Sequence, residues 1–225
     1  AIEEFRDMKM QPSLERALRR KVEAQGVSST DLMTSISAVA SAVQRDGTDL
    51  RPHAAPDGSV TIMFSDIEDS TLINERLGDQ RWMELLRAHN AIIREQIAAH
   101  DGDVVKTAGD GFMMSFRQPL KALRAAIAIQ RAFSAHNAQH AEHPLVVRIG
   151  IHTGTPVAEG GDYYGKDVTL AYRIADTAHG GEIVVSARVR ELGGASDVEF
   201  GEPRELELKG LSGSHAVYAV NWLTD

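Results

Sequence analysis

Apolar and polar residues recur along this chain in two spacings, helical and alternating, and the changes from one to the other mark its elements. Between Pro12 and Gln25 the apolar positions Leu14, Ala17, Leu18 and Val22 follow helical spacing, with charge on the opposite face. Ser13 can cap the start of that helix and Gly26 can end it. Ser28-Ser29-Thr30-Asp31 offers caps for a second helix through about Gln44, with Leu32, Ile36, Val39 and Val43 as its stripe. A polar, Pro- and Gly-rich stretch from Asp46-Gly47 to Pro56-Asp57-Gly58 reads as a linker. From there on, short apolar runs alternate with longer amphipathic ones. They predict strands at 60–66, 103–107, 111–116, 146–153, 182–186, 205–209 and 215–222, and helices at 70–77, 80–99, 119–136, 168–178 and 187–192. Ala108-Gly109-Asp110-Gly111, between two apolar runs, is a hairpin signal.

The order strand, two helices, hairpin, helix, strand, helix and strands favours an α+β fold, a mostly antiparallel sheet with helices on one face. The predicted organisation is a helical N-terminal segment at 1–45, a linker at 46–58 and a main domain at 59–223. Two short amphipathic helices bury too little to fold alone. They must pack on the main domain, on each other or on a second subunit, in a regulatory or dimerising role.

Composition narrows the function. The chain is 43% hydrophobic and 25% charged with a net charge of −8, which argues against general nucleic-acid binding, since that needs basic surface to displace counterions. It has no cysteine, which excludes disulfides and thiolate chemistry and fits the cytoplasm. No apolar run approaches the length of a membrane span. The chain begins at Ala1 without methionine or a signal-peptide pattern, as expected of the cytosolic part of a longer protein with a regulatory domain upstream.

Two acids stand out against this background. Asp66 ends the apolar run Val60-Thr61-Ile62-Met63-Phe64-Ser65-Asp66-Ile67, and Asp110 occupies the hairpin turn. Taken singly, Asp66 can be a helix N-cap and Asp110 an ordinary turn residue. Taken together, they suit a pair of carboxylates holding divalent cations over a phosphate, because Mg²⁺ takes oxygen ligands and keeps several waters. His136, His140 and His143, spaced around a predicted helix end, read as a solvated face rather than a metal site.

Four blocks in order carry a family resemblance. They are Phe64-Ser65-Asp66-Ile67, Lys106-Thr107-Ala108-Gly109-Asp110-Gly111-Phe112-Met113, Arg148-Ile149-Gly150-Ile151-His152-Thr153-Gly154, and the run from Asp162 to Arg173. Over residues 59–221 the chain resembles the catalytic domain of class III nucleotidyl cyclases, of the bacterial adenylate cyclase type. The resemblance implies a ferredoxin-like cyclase fold and closure of a ring, in which the ribose 3′-hydroxyl attacks the α-phosphate and pyrophosphate leaves. It implies two Mg²⁺ or Mn²⁺ ions per site, held by Asp66, Asp110 and the carbonyl of Ile67. It makes Lys106 and Asp162 the readers of the base. A lysine that only donates and an aspartate that only accepts match N1 and the 6-amino group of adenine, and mismatch guanine. Arg173 is the implied transition-state arginine. The resemblance further implies a homodimer with two composite sites, the metal aspartates from one copy and the base readers and arginine from the other.

Two positions depart from the family pattern. Thr169 stands where the family usually has an asparagine that orients the attack, and Leu211 stands where many relatives have a phosphate-binding lysine, a role Lys209 could take instead. The expected function is an adenylate cyclase acting on ATP. The alternatives are a guanylate or relaxed-specificity cyclase, or a weakly active or non-catalytic nucleotide-binding regulator.

Overall fold

A computed structural model describes residues 35–46, 50–155, 166–193 and 197–223. The helix predicted over Pro12–Gln25 lies outside the described residues, and so does Asp162. The elements are α1 (Ser35–Asp46), a 3-10 turn (Arg51–His53), β1 (Val60–Ile67), α2 (Ser70–Ala99), β2 (Asp103–Ala108), β3 (Gly111–Phe116), α3 (Pro119–Gln139), β4 (Val147–Gly154), α4 (Lys166–Asp176), β5 (Ile183–Ser186), α5 (Ala187–Gly193), β6 (Glu199–Phe200), β7 (Arg204–Glu207) and β8 (Ser214–Asn221).

The strands form one sheet in the order β2-β3-β1-β4-β5-β8-β6, with β7 also paired to β8. Every pair is antiparallel except β4 with β5, as expected of an α+β fold. β1 is buried along its whole length because it runs through the middle of the sheet between two layers of helix. Its alternate residues serve different cores. Met63 and Ile67 join Trp82, Leu86, Ile93 and Ile97 of α2 and the stripe Ala122, Ala126, Ile129 and Phe133 of α3. Val60, Ile62 and Phe64 face the other way, onto Ile36, Val39, Ala40 and Val43 of α1 and Val168, Ala171, Tyr172 and Ala175 of α4. Helices therefore cover both faces, not the single face that element order suggested. The physical reason is that the central strands carry apolar residues at both parities, so neither face can be left to water.

Several expectations shift in detail. The helices predicted at 70–77 and 80–99 join in α2, where Gly78 departs from helical geometry with φ 76° and ψ 165° and kinks the element. The strand predicted at 205–209 ends at Glu207, because Leu211 N–H closes a turn on Leu208 C=O through Gly210 at φ 82°. The linker is anchored where it re-enters the fold. Leu50 is fully buried beside α1, and Arg117 Nη2 donates to Pro52 C=O at 3.0 Å.

Close approach of α4 to the sheet depends on glycine. A Cβ at Gly150 would lie 2.2 Å from Ala175 N, and one at Gly154 would lie 2.1 Å from the Asp167 carboxyl carbon. Both glycines are on β4, so α4 lies against that strand with backbone nearly touching backbone.

Candidate active site

Strand register brings the two acids together. β1 pairs with β3 as far as Ser65↔Phe112, so Asp66 ends beside the β2–β3 turn. That turn is a two-residue loop between Ala108 and Gly111, with Gly109 at φ 63° in a conformation glycine adopts freely. Asp110 follows and points back to β1, where its Oδ2 accepts the Ile67 N–H at 2.8 Å. Both aspartates are 2% exposed, which is rare for acids and requires every charged oxygen to be satisfied.

The partners are all named by the structure. Arg148, opposite Asp66 in the β1–β4 register, donates Nε to Oδ1 at 2.6 Å and Nη2 to Oδ2 at 3.0 Å. This fork is the strong bidentate form of an arginine–carboxylate pair. The remaining oxygen of Asp110, Oδ1, accepts a hydrogen bond from the Ser35 hydroxyl at the start of α1. Burial pushes the Asp66 carboxyl up to about 6, Arg148 pulls it down, and the charges of Asp110 and Asp176 add to the upward push. Burial also works against the charge on Arg148, but Asp66 holds that guanidinium above its ordinary pKa. Two crowded carboxylates, of which only Asp66 is forked by the arginine, retain surplus negative charge. Their hard oxygens fit a divalent ion of the Mg²⁺ or Mn²⁺ type, provided Arg148 yields part of its hold.

A second polar chain steadies α4. His152 on β4 bonds Ser186 Oγ through Nδ1 at 2.8 Å and Asp167 Oδ1 through Nε2 at 3.2 Å. The hydrogen bond from His152 holds the Asp167 carboxyl below its usual pKa, against the opposing effect of burial. Asp167 lies in the first turn of α4, so this chain fixes the end of the helix nearest Thr169.

The structure thus places the described sequence candidates at four points of the fold. Asp66, Ile67 and Asp110 converge at the β1 end. Lys106 sits on β2 at the sheet edge, beside the register shift between Val104 and Lys106. Thr169 and Arg173 are both part-buried on α4; the Arg173 guanidinium stacks 4.4 Å over the Tyr172 ring, and its Nε has no hydrogen-bond partner among the described residues. Lys209 lies in the turn after β7, with β4, β5 and β8 between it and β1 in the sheet order, so one chain's topology does not bring it to Asp66. Asp162 is outside the described residues. Among the described residues no cluster of three or more histidines or acids could hold a metal ion, and that includes the region of His136 and His140, whose rings pack 4.4 Å apart.

Sequence reasoning missed Arg148, Ser35 and the His152–Asp167 tether. A signal existed for Arg148, a lone charge in the otherwise uncharged run Val147-Arg148-Ile149-Gly150-Ile151. None existed for Ser35, which is 75 residues from Asp110 in sequence.

The mixed sheet thus holds two buried acids, one at the end of its central strand and one in the neighbouring turn. The sequence model of the adenylate and guanylate cyclase catalytic domain matches residues 53–222, and the chain belongs to that family. An adenylate cyclase of Lachancea kluyveri is 33% identical over an alignment of 168 residues that covers 61% of this chain and 9% of that protein. The chain therefore spans about a tenth of that relative's length. Among solved structures, the guanylyl cyclase Cya2 is 26% identical with a TM-score of 0.64, covering 72% of this chain and 91% of that one. The adenylyl cyclase CyaB from P. aeruginosa also has a TM-score of 0.64, at 24% identity, covering 72% of this chain and 93% of that one, a likeness of fold. No helix of the described residues is long and apolar enough to cross a membrane.

Proposed function

We propose that this chain is an adenylate cyclase converting ATP to 3′,5′-cyclic AMP and pyrophosphate, working as a homodimer with two composite sites. The observation that carries the reading is the convergence of Asp66 and Asp110, both buried and linked through the Ile67 N–H, beside the fork of Arg148. Asp66, Asp110 and the carbonyl of Ile67 would hold two Mg²⁺ or Mn²⁺ ions. When bound, such ions lower the pKa of the ribose hydroxyl and offset charge on the phosphates. The chain's own groups do the rest. Arg148 offers a positive charge beside the same carboxylates, able to turn from Asp66 toward a phosphate as the carboxylate takes up a cation. Arg173, its Nε without a partner among the described residues, supplies donors to the charge that grows on the α-phosphate as the 3′-oxygen bond forms and the bond to pyrophosphate breaks. Thr169 offers one hydroxyl near that arginine in place of an amide. Lys106 and Asp162 read adenine, the first donating to N1 and the second accepting from the 6-amino group. Lys209 of a second copy would meet the terminal phosphates.

The second reading, a guanylate or relaxed-specificity cyclase, is supported by the likeness to Cya2, since one fold serves both bases. Purified protein with Mn²⁺ and either ATP or GTP, assayed for both cyclic nucleotides, separates the readings. Cyclic AMP from ATP is expected. Cyclic GMP as the main product overturns the base assignment, and nucleotide bound without any product overturns the enzyme. Mixing Asp66→Ala with Arg173→Ala chains tests the shared site. Activity should return in the heterodimer, and continued silence with heterodimers formed would exclude composite sites.

A further inference from the structure

The cyclase reading leaves α1 unexplained. Its apolar stripe Ile36, Val39, Ala40 and Val43 is at most 3% exposed and fills the space between β1, β3 and α4. Its first described residue, Ser35, is 6% exposed and spends its hydroxyl proton on Asp110. The backbone meets there too. A Cβ at Gly111 would come 2.6 Å from the Ser35 carbonyl oxygen, so the helix start is pressed onto the turn that carries Asp110. An element joined to the domain through a linker thus reaches the same carboxylate that the proposed function assigns to metal binding.

We propose that α1 is a built-in cap on the metal site, in which the Ser35 hydroxyl competes with a divalent cation for Asp110 and so couples metal loading to the docking of α1. The proposal rests on Asp110 being a metal ligand. Its physical basis is direct. A carboxylate oxygen that already accepts a hydroxyl proton is a poorer ligand, and the same contact blocks one approach to Oδ1. Cation binding weakens the Ser35 bond, and α1 then loses the polar contact that fixes its start. Any signal that lifts α1 from its apolar seat acts in reverse and raises metal affinity, since the coupling is reciprocal.

Mn²⁺ binding to the full chain, followed by electron paramagnetic resonance of the free ion, tests this without turnover. Ser35→Ala should bind Mn²⁺ about ten-fold tighter, the worth of roughly one charge-assisted hydrogen bond. Ser35→Thr, which keeps the hydroxyl, should restore the original affinity. Val39→Asp, which unseats the stripe, should tighten binding as well. If that variant fails to fold, hydrogen exchange on the unaltered chain decides, because Mn²⁺ saturation should speed exchange in α1 and leave β1 and β3 protected. Unchanged or weaker binding in Ser35→Ala, with binding lost in Asp110→Asn, overturns the cap and leaves the metal site standing. Weaker binding would mean that Ser35 is itself a ligand. Failure of the unaltered chain to bind Mn²⁺ at all overturns the metal reading and the cap with it.

Discussion

The two faces of the sheet are built from the same strands and differ in almost everything else. On one face α2, α3 and α5 close over large aliphatic and aromatic side chains, among them Ile93, Ile129 and Phe133. Even the buried His89 fits that pattern. It lies between Phe112 and Phe133, with ring centroids 5.7 and 5.5 Å away, and burial lowers its pKa. On the other face α1 and α4 meet the sheet through smaller residues and through charge. Asp66, Arg148, His152 and Asp167 all lie there, and Gly150 and Gly154 let α4 approach. The contrast separates two tasks. A dry, thick core supplies most of the stability, since each large apolar side chain it buries is worth roughly 1.5–3 kcal/mol. The thinner face can then carry buried charges that stability alone would not select.

That division can be broken from either side. The largest effect is expected at Asp110→Asn, which keeps the shape and an acceptor for Ser35 or Ile67 but removes the charge. Cyclase activity should fall by a factor of roughly 10³ or more, comparable to loss of a key electrostatic group, while the thermal midpoint stays within a few degrees. A large fall in the midpoint instead would show that the charged face also holds the fold together. Phe133→Ala, on the dry face, should do the reverse. A loss of about 3–5 kcal/mol in denaturant unfolding is expected, with activity per folded molecule preserved. Gly150→Ala tests the boundary between the tasks, because its Cβ must push α4 off β4. It should cost about 1–3 kcal/mol and also lower kcat, as Thr169 and Arg173 move with the helix.

The smallest effect, and the most specific, is with pH. Burial holds the Asp66 carboxyl at about 6 against an ordinary 3.8, so below pH 6 a proton competes with the cation and Mn²⁺ affinity should fall up to about ten-fold per pH unit. The sign for folding is opposite. With a raised folded pKa, this group's contribution to stability is full below 3.8 and is lost as pH rises through 6 in the absence of metal. Asp66→Asn should flatten the group's contribution to that stability profile. An unchanged profile would place the titration elsewhere.

Much of the architecture was legible in the chain. The strand predicted at 60–66 is β1, the hairpin signal at Ala108-Gly109-Asp110-Gly111 is the β2–β3 turn, and the α3 stripe follows its spacing. These are local matters, in which the period of apolar residues and the φ demanded of a turn glycine decide the outcome. β6 escaped notice because two residues, Glu199 and Phe200, are too few to show a period. The second helical layer escaped because apolar residues at both parities of β1 say that both faces are covered without saying by what.

The site divides in the same way. The sequence alone determined that Asp66 ends a buried strand and that Asp110 follows a glycine in a two-residue turn, since hydrophobic period and backbone sterics are properties of neighbouring residues. Only the tertiary structure decided that Arg148 faces Asp66, that Asp167 is tied to His152, and that Ser35 reaches Asp110. Those pairings depend on strand register and helix docking, which are set by how whole faces pack together and are not written at any one position.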